Sequence, residues 1–166
     1  NHLLKKAKSS CREAGVSGQV VKCSNAKEEA MAEAGIAVLK PGRLDGSSAV
    51  VGGTTWMFCR EELADRFDLL VVDEAGQMSL ANLLVMARCA RSILLVGDQQ
   101  QLAQPSQADH PGDSGKSCLE FWMQGEAVVP DDRGVFLPTS WRMEPSLTAM
   151  VSELFYEGHL QANPAN

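Results

Sequence analysis

Leu69-Leu70-Val71-Val72-Asp73-Glu74-Ala75-Gly76-Gln77 sets four apolar residues directly before two carboxylates. A short apolar run of this kind predicts a buried central strand of a parallel sheet, covered on both faces. Its end delivers Asp73 and Glu74 to the carboxyl edge, where open α/β sheets bind ligands. The residue types suit phosphoryl chemistry. The first carboxylate can hold Mg²⁺, directly or through water, and the second can orient and deprotonate a water that attacks a γ-phosphate. An apolar strand followed by Asp-Glu also arises by chance, so the next strand matters. Ser92-Ile93-Leu94-Leu95-Val96-Gly97-Asp98 repeats the pattern, and Gln99-Gln100-Gln101-Leu102 follows directly.

Between the two strands, Ser79 can cap a helix in which Leu80, Leu83, Leu84 and Ala87 recur at helical spacing. Strand, helix and strand form a βαβ unit, so the sheet is expected to be parallel. Arg88 and Arg91 fall near that helix's end, where a dipole contact is the ordinary explanation.

Asp73-Glu74-Ala75-Gly76-Gln77 resembles the DExxQ form of helicase motif II, the Walker B element, and Gly97-Asp98-Gln99-Gln100-Gln101-Leu102 resembles motif III, GDxxQL. Thr139-Ser140-Trp141-Arg142-Met143-Glu144-Pro145 resembles motif IV, and Phe155-Tyr156-Glu157-Gly158-His159-Leu160 the helix end that follows it. Three motifs in order make the chain similar to superfamily 1 helicases, above all the Upf/RecD-like 1B branch, which moves 5′ to 3′ on single strands. The resemblance implies an α/β RecA-like P-loop NTPase fold, a parallel sheet flanked by helices. Residues 1–137 would be the later part of the first RecA-like domain, with motifs Ic, II and III. Residues 138–166 would carry motif IV and the beginning of the second. ATP and Mg²⁺ are the implied cofactors and single-stranded DNA or RNA the implied partner. Fusion to a nuclease or other domains occurs among such helicases, and no membrane is involved.

By the same resemblance Asp73 holds Mg²⁺, Glu74 is the catalytic base, Gln101 senses the γ-phosphate, and Arg142 brings positive charge to it. Gln77 and Asp98 would join the nucleotide site, or only tie the loops together by hydrogen bonds. Arg142 could instead make a surface salt bridge. Ala49 to Trp56 predicts a strand ending in small and hydroxyl residues, similar to motif Ic. There Gly53, Thr54 and Thr55 would meet the phosphates of the bound strand, since glycine admits a phosphate and threonine donates without sequence preference. The other explanation for the threonines is capping of the next short helix. Trp56 and Phe58 are expected in the core rather than as base-stacking platforms.

Of 166 residues, 45% are hydrophobic and 22% charged, enough for one domain with a sizeable core. There is no run long enough to span a bilayer and no signal-peptide pattern, so a soluble, cytoplasmic protein is expected. Cys11, Cys23, Cys59, Cys89 and Cys118 form no CxxC pair and are expected as buried free thiols. The net charge of −6 argues against a free-standing nucleic-acid module working by bulk electrostatics.

Gly112-Asp113-Ser114-Gly115-Lys116-Ser117 imitates the tail of a P-loop, but the first glycine of GxxxxGKS/T would fall at His110, and the segment follows the Walker B strand instead of preceding it. Ser117 is expected to cap the next helix. No P-loop precedes Asp73, Ala103 stands where the family often has proline, and His2 to Lys8 begins as though inside a helix. The expectation is therefore a fragment, with P-loop strand and helix missing and no activity alone. Two other readings remain: a degenerate RecA-like binding or assembly module, and a small complete NTPase using Lys116.

Three further elements are expected. A strand spans Gln19 to Cys23, and a helix from Ala26 to Ala34, capped by Asn25, stops at Gly35, before an exposed loop from Lys40 to Ser48. A short strand covers Gly134 to Leu137. A last helix opens at Pro145 with an apolar stripe of Leu147, Met150, Val151, Leu154 and Phe155 before Gly158.

Overall fold

A computed structural model describes residues 2–26, 29–101 and 111–166. In chain order the elements are α1 (His2–Glu13), β1 (Gln19–Cys23), α2 (Glu29–Glu33), β2 (Ala37–Leu39), β3 (Ser48–Gly52), α3 (Thr55–Phe58), β4 (Phe67–Val72), α4 (Leu80–Ala87), β5 (Ala90–Leu95), α5 (Cys118–Met123), β6 (Thr139–Ser140), α6 (Pro145–Phe155) and β7 (Gln161–Ala162). They form two compact units, Asn1–Val71 with Asn82–Leu94, and Val72–Ala81 with Leu95–Asn166. Among the described residues, no helix is long and apolar enough to cross a membrane.

In the first unit β1 lies between β2 and β3, parallel to both, with Val21 opposite Ala37 and Val51. Val20, Val21 and Cys23 of β1 are all buried, the pattern of a strand covered on both faces. Leu4, Val20, Met31 and Ile36 form the core, with Val38 and Val50 against it. A Cβ at Gly52 would run into the Leu4 side chain, so glycine there lets α1 lie close on the sheet. Gly35 ends α2 with φ of +64°, and Lys8 Nζ donates to the Ala34 and Gly35 carbonyls at 2.9 and 2.6 Å, capping that end.

Several expectations change here. α2 is described from Glu29 onward, residues 27 and 28 lying outside the described ones, and Ala26, expected inside the helix, sits in a bend where its N–H donates to Ser24 Oγ. The Lys40 to Ser48 loop is not wholly exposed. Pro41 and Leu44 are buried around a 3₁₀ turn, Pro41–Arg43, and Ser48 opens β3. Trp56 is not core but 78% exposed, whereas Phe58 packs edge-on to Phe67 with ring centres 5.8 Å apart. Arg88 and Arg91 pair with Glu61 at 3.2 Å and Asp68 at 3.8 Å, exposed contacts worth little to stability.

β4 and β5 pair in parallel, as expected from the βαβ unit. The Phe67 N–H donates to the Cys89 carbonyl at 3.0 Å, and the Val96 N–H, further along both strands, donates to the Val72 carbonyl at 2.9 Å. β4 is not covered on both faces, however. Leu70 and Val72 are buried while Leu69 and Val71 are half exposed, and Ile93 and Leu94 of β5 are exposed too. On α4 the buried residues are Leu83 and Met86, and Leu84 is 62% exposed.

In the second unit the segment after the carboxylates pairs with the chain entering α5. The Leu80 N–H donates to the Lys116 carbonyl and the Cys118 N–H to the Met78 carbonyl, at 2.9 and 2.8 Å. Ser117 Oγ accepts from the Glu120 N–H at 3.0 Å and so caps α5. Lys116 Nζ lies 2.8 Å from Asp113 Oδ1. That segment is thus occupied with pairing and capping. All five cysteines are free thiols, with Cys23, Cys89 and Cys118 buried and Cys11 and Cys59 half-buried. Burial pushes the Cys118 thiol up to about 11.

Gly134 to Leu137 is not a strand: Val135 and Leu137 are exposed, and pairing begins only at Thr139, opposite Gln161 of β7. α6 starts with Pro145 in its first turn and Glu144 as its cap, accepting from the Leu147 N–H. Its buried residues are Thr148 and Ser152, whereas Leu147, Met150, Leu154 and Phe155 are exposed. The hydroxyls tolerate burial because Thr148 donates to the Glu144 carbonyl at 2.8 Å and Ser152 accepts from the Leu160 N–H at 2.9 Å.

Candidate active site

β4 ends at Val72, and Asp73 and Glu74 follow at its carboxyl end, both exposed. Glu74 is left-handed, φ 55° and ψ 42°, a conformation that costs a non-glycine residue about 1 kcal/mol. A 3₁₀ turn, Ala75–Gln77, maintains it. The Glu74 N–H donates to Asp73 Oδ1 at 3.1 Å, and the Glu74 carbonyl accepts from the Gln77 N–H at 2.9 Å. Strained backbone held by its surroundings is common where a side chain must be aimed.

The loop after β5 is locked onto this turn, main chain against main chain. The Ala75 N–H donates to the Val96 carbonyl at 2.9 Å. A Cβ on Gly76 would collide with the Asp98 carbonyl, and one on Gly97 would lie 2.8 Å from the Ala75 nitrogen. Both glycines are therefore required by close approach. Gly76→Ala is expected to lower stability by about 3 kcal/mol, because the obstacle is backbone that cannot swing aside. The urea midpoint of the chain measures this, and an unchanged midpoint would mean that the two loops can part freely.

Asp98 holds its own loop by accepting from the Gln100 N–H at Oδ1, 2.9 Å, and accepts from the Tyr156 hydroxyl at Oδ2, 2.6 Å. Gln99 Nε2 donates to the Ala127 carbonyl at 2.7 Å. Asp98 thus ties loops together. Gln77 and Gln101 are exposed, as are Arg142 and its neighbour Trp141. Among the described residues Arg142 makes no ion pair, and no hydrogen bond or ion pair joins it or Gln101 to the carboxylates.

Asp73, Glu74, Gln77, Asp98, Gln101 and Arg142 all belong to the second unit, and Gly53, Thr54 and Thr55 to the first. Gly53 follows β3, where a Cβ would press on Phe58 at 3.2 Å, so packing alone gives a reason for that glycine. Thr54 precedes α3 in the capping position, but its side chain makes no capping bond. Tyr156 is the residue to which sequence reasoning gave no role. Its only signals there are its place at the helix end and its being the sole tyrosine.

Parallel strands with consecutive carboxylates at their carboxyl edge, and a second loop seated on that turn, define an α/β domain of the RecA-like class. Residues 21–104 match the AAA domain family, and the chain belongs to it. It is 35% identical over 100 residues to the 5′-3′ DNA helicase ZGRF1 of Mus musculus, covering 57% of this chain and 5% of that protein. It is 33% identical over 98 residues to the DNA replication ATP-dependent helicase/nuclease DNA2 of Gallus gallus, 58% of this chain and 9% of that one. With the ATP-dependent helicase NAM7 of Saccharomyces cerevisiae it shares 32% over 103 residues, 61% of this chain and 10% of the relative. The chain therefore spans a tenth or less of the length of these relatives. They bear out the resemblance to superfamily 1 helicases.

Proposed function

We propose that this chain is the motif Ic to motif IV portion of an intracellular ATP-dependent helicase or translocase that moves 5′ to 3′ on single-stranded DNA or RNA. Residues 1–137 belong to its first RecA-like domain, and 138–166 carry motif IV and begin the second. One observation carries the reading: the carboxylate turn and the loop bearing Asp98 and Gln101 are locked together through Gly76 and Gly97. Such rigidity is what a hydrolytic site needs, because catalytic groups must hold their geometry within about half an ångström.

Asp73 and Glu74 fit a Mg²⁺ site of the nucleotide type, in which one or two carboxylates act beside substrate phosphates and water. When bound, Mg²⁺·ATP supplies the electrophilic phosphorus and neutralises charge developing on its oxygens. Asp73 would hold the Mg²⁺. Glu74 orients a water and accepts its proton as the water oxygen bonds to the γ-phosphorus and the bond from that phosphorus to the β–γ bridging oxygen breaks, with the electron pair leaving on ADP. Gln101 touches the γ-phosphate, and Arg142, with no ion pair among the described residues, adds charge to it when the domains close. Gln77 and Asp98 steady the two loops. Gly53 and Thr55, with Thr54, whose side chain makes no capping bond to α3, line the path of the strand's phosphates.

The test is ATP hydrolysis by the full-length protein, with and without single-stranded DNA or RNA. Turnover stimulated by nucleic acid is the expected result. A full-length protein that neither turns over ATP nor responds to nucleic acid would leave a binding or assembly module.

A further inference from the structure

We propose that Tyr156 is a positioning residue for this site, its hydroxyl fastening Asp98, and with it the loop that bears Gln101, to the end of α6. The functional half of this inference rests on the proposed ATP hydrolysis; the physical link does not.

The link joins residues 58 apart in sequence at 2.6 Å, the length of a charge-assisted O–H···O⁻ bond. Asp98 is divided between two tasks, since its other oxygen already accepts from the Gln100 N–H. Tyr156 is itself held firmly. Its N–H donates to the Ser152 carbonyl and its carbonyl accepts from the His159 N–H, both at 2.9 Å, and Glu157 and Gly158 turn the chain with φ of 52° and 77°. Phe136 packs on its ring at 6.0 Å and on His159 at 6.4 Å. Burial, with the Asp98 carboxylate beside it, raises the Tyr156 hydroxyl above the usual tyrosine range, so it stays a proton donor.

The consequence is mechanical. The main chain of Asp98 is pressed against Gly76, two residues from Glu74, while its side chain holds the far end of α6. Arg142 lies three residues before the other end of that helix, which opens at Pro145. An 11-residue helix is a stiff rod of about 16 Å. Fixing one end at Asp98 thus constrains where the loop of Arg142 stands relative to Glu74.

Two measurements test this. The first uses this chain, whose sole tyrosine makes the rise in tyrosinate absorbance with pH that of Tyr156 alone. At a pH about half a unit above the ordinary tyrosine pKa of about 10, a free tyrosine is about three-quarters ionised. The wild type should remain protonated there, and Asp98→Asn, which keeps the burial but loses the carboxylate, should ionise at lower pH than the wild type; an ionised wild type, or equal titration midpoints for the two, overturns the link. The second uses the full-length protein. Tyr156→Phe should lower kcat about tenfold with KM for ATP within about twofold, and adding it to Asp98→Asn should cost nothing more. Wild-type kcat in Tyr156→Phe, a parallel rise in KM, or additive losses would overturn the positioning role. A wild-type protein without ATPase activity would sink the proposed function, and the absorbance experiment would still judge the link.

Discussion

Glu74→Gln in the full-length protein is expected to cut ATP turnover by about 10³-fold or more while ATP affinity stays within about threefold. The amide has nearly the shape of the carboxylate but cannot take a proton from water. The turn should survive the change. Its hydrogen bonds run from the Glu74 N–H to Asp73 and from the Gln77 N–H to the Glu74 carbonyl, so none uses the Glu74 side chain. The left-handed backbone at residue 74 is no harder for glutamine than for glutamate. With the fold intact, lost turnover reports on proton transfer. Phosphate release and calorimetric ATP binding are the two readouts. Turnover within about tenfold of wild type would remove Glu74 from the role of base.

Where local chemistry dominates, the sequence was a sufficient guide. Gln19–Cys23 is a strand, Ser117 caps a helix, Pro145 opens one, and β4 and β5 run parallel, because caps and short-range patterns act between near neighbours. The errors share one cause. Leu69 and Val71, Leu84 of α4, and the apolar residues of α6 were expected under cover and are exposed among the described residues. Periodicity marks which residues share a face, but not what lies against it. Gly134 to Leu137 failed for a related reason: a β-rich composition predicts a strand, but a strand needs a partner, and Gln161 meets Thr139 instead.

The candidate site shows the same division. Asp73, Glu74 and the Asp98 loop stand out in sequence because each follows an apolar run. That Gly76 and Gly97 are where the two loops meet was not evident, since the meeting depends on main-chain contacts about twenty residues apart. The Tyr156 bond to Asp98, 58 residues away, was out of reach of any pattern along the chain.

Arg142→Ala is expected to lower kcat by about 10³-fold, the scale on which an arginine placed on a transferring phosphoryl group acts. Its effect on stability should be small, within about 0.5 kcal/mol, because the side chain is exposed and leaves no buried partner stranded. That contrast separates a catalytic arginine from one that holds the loop in place. The loop has its own support in the Met143 N–H, which donates to Ser140 Oγ at 3.2 Å, and in the Glu144 cap of α6. Arg142→Lys should recover little, since an ammonium keeps the charge but lacks the planar fork that grips two phosphate oxygens at once. Steady-state ATPase assays of both variants, beside their urea midpoints, decide the matter. A kcat within about tenfold of wild type in Arg142→Ala would make this an ordinary surface arginine, and the charge that offsets the γ-phosphate would then have to come from elsewhere in the protein.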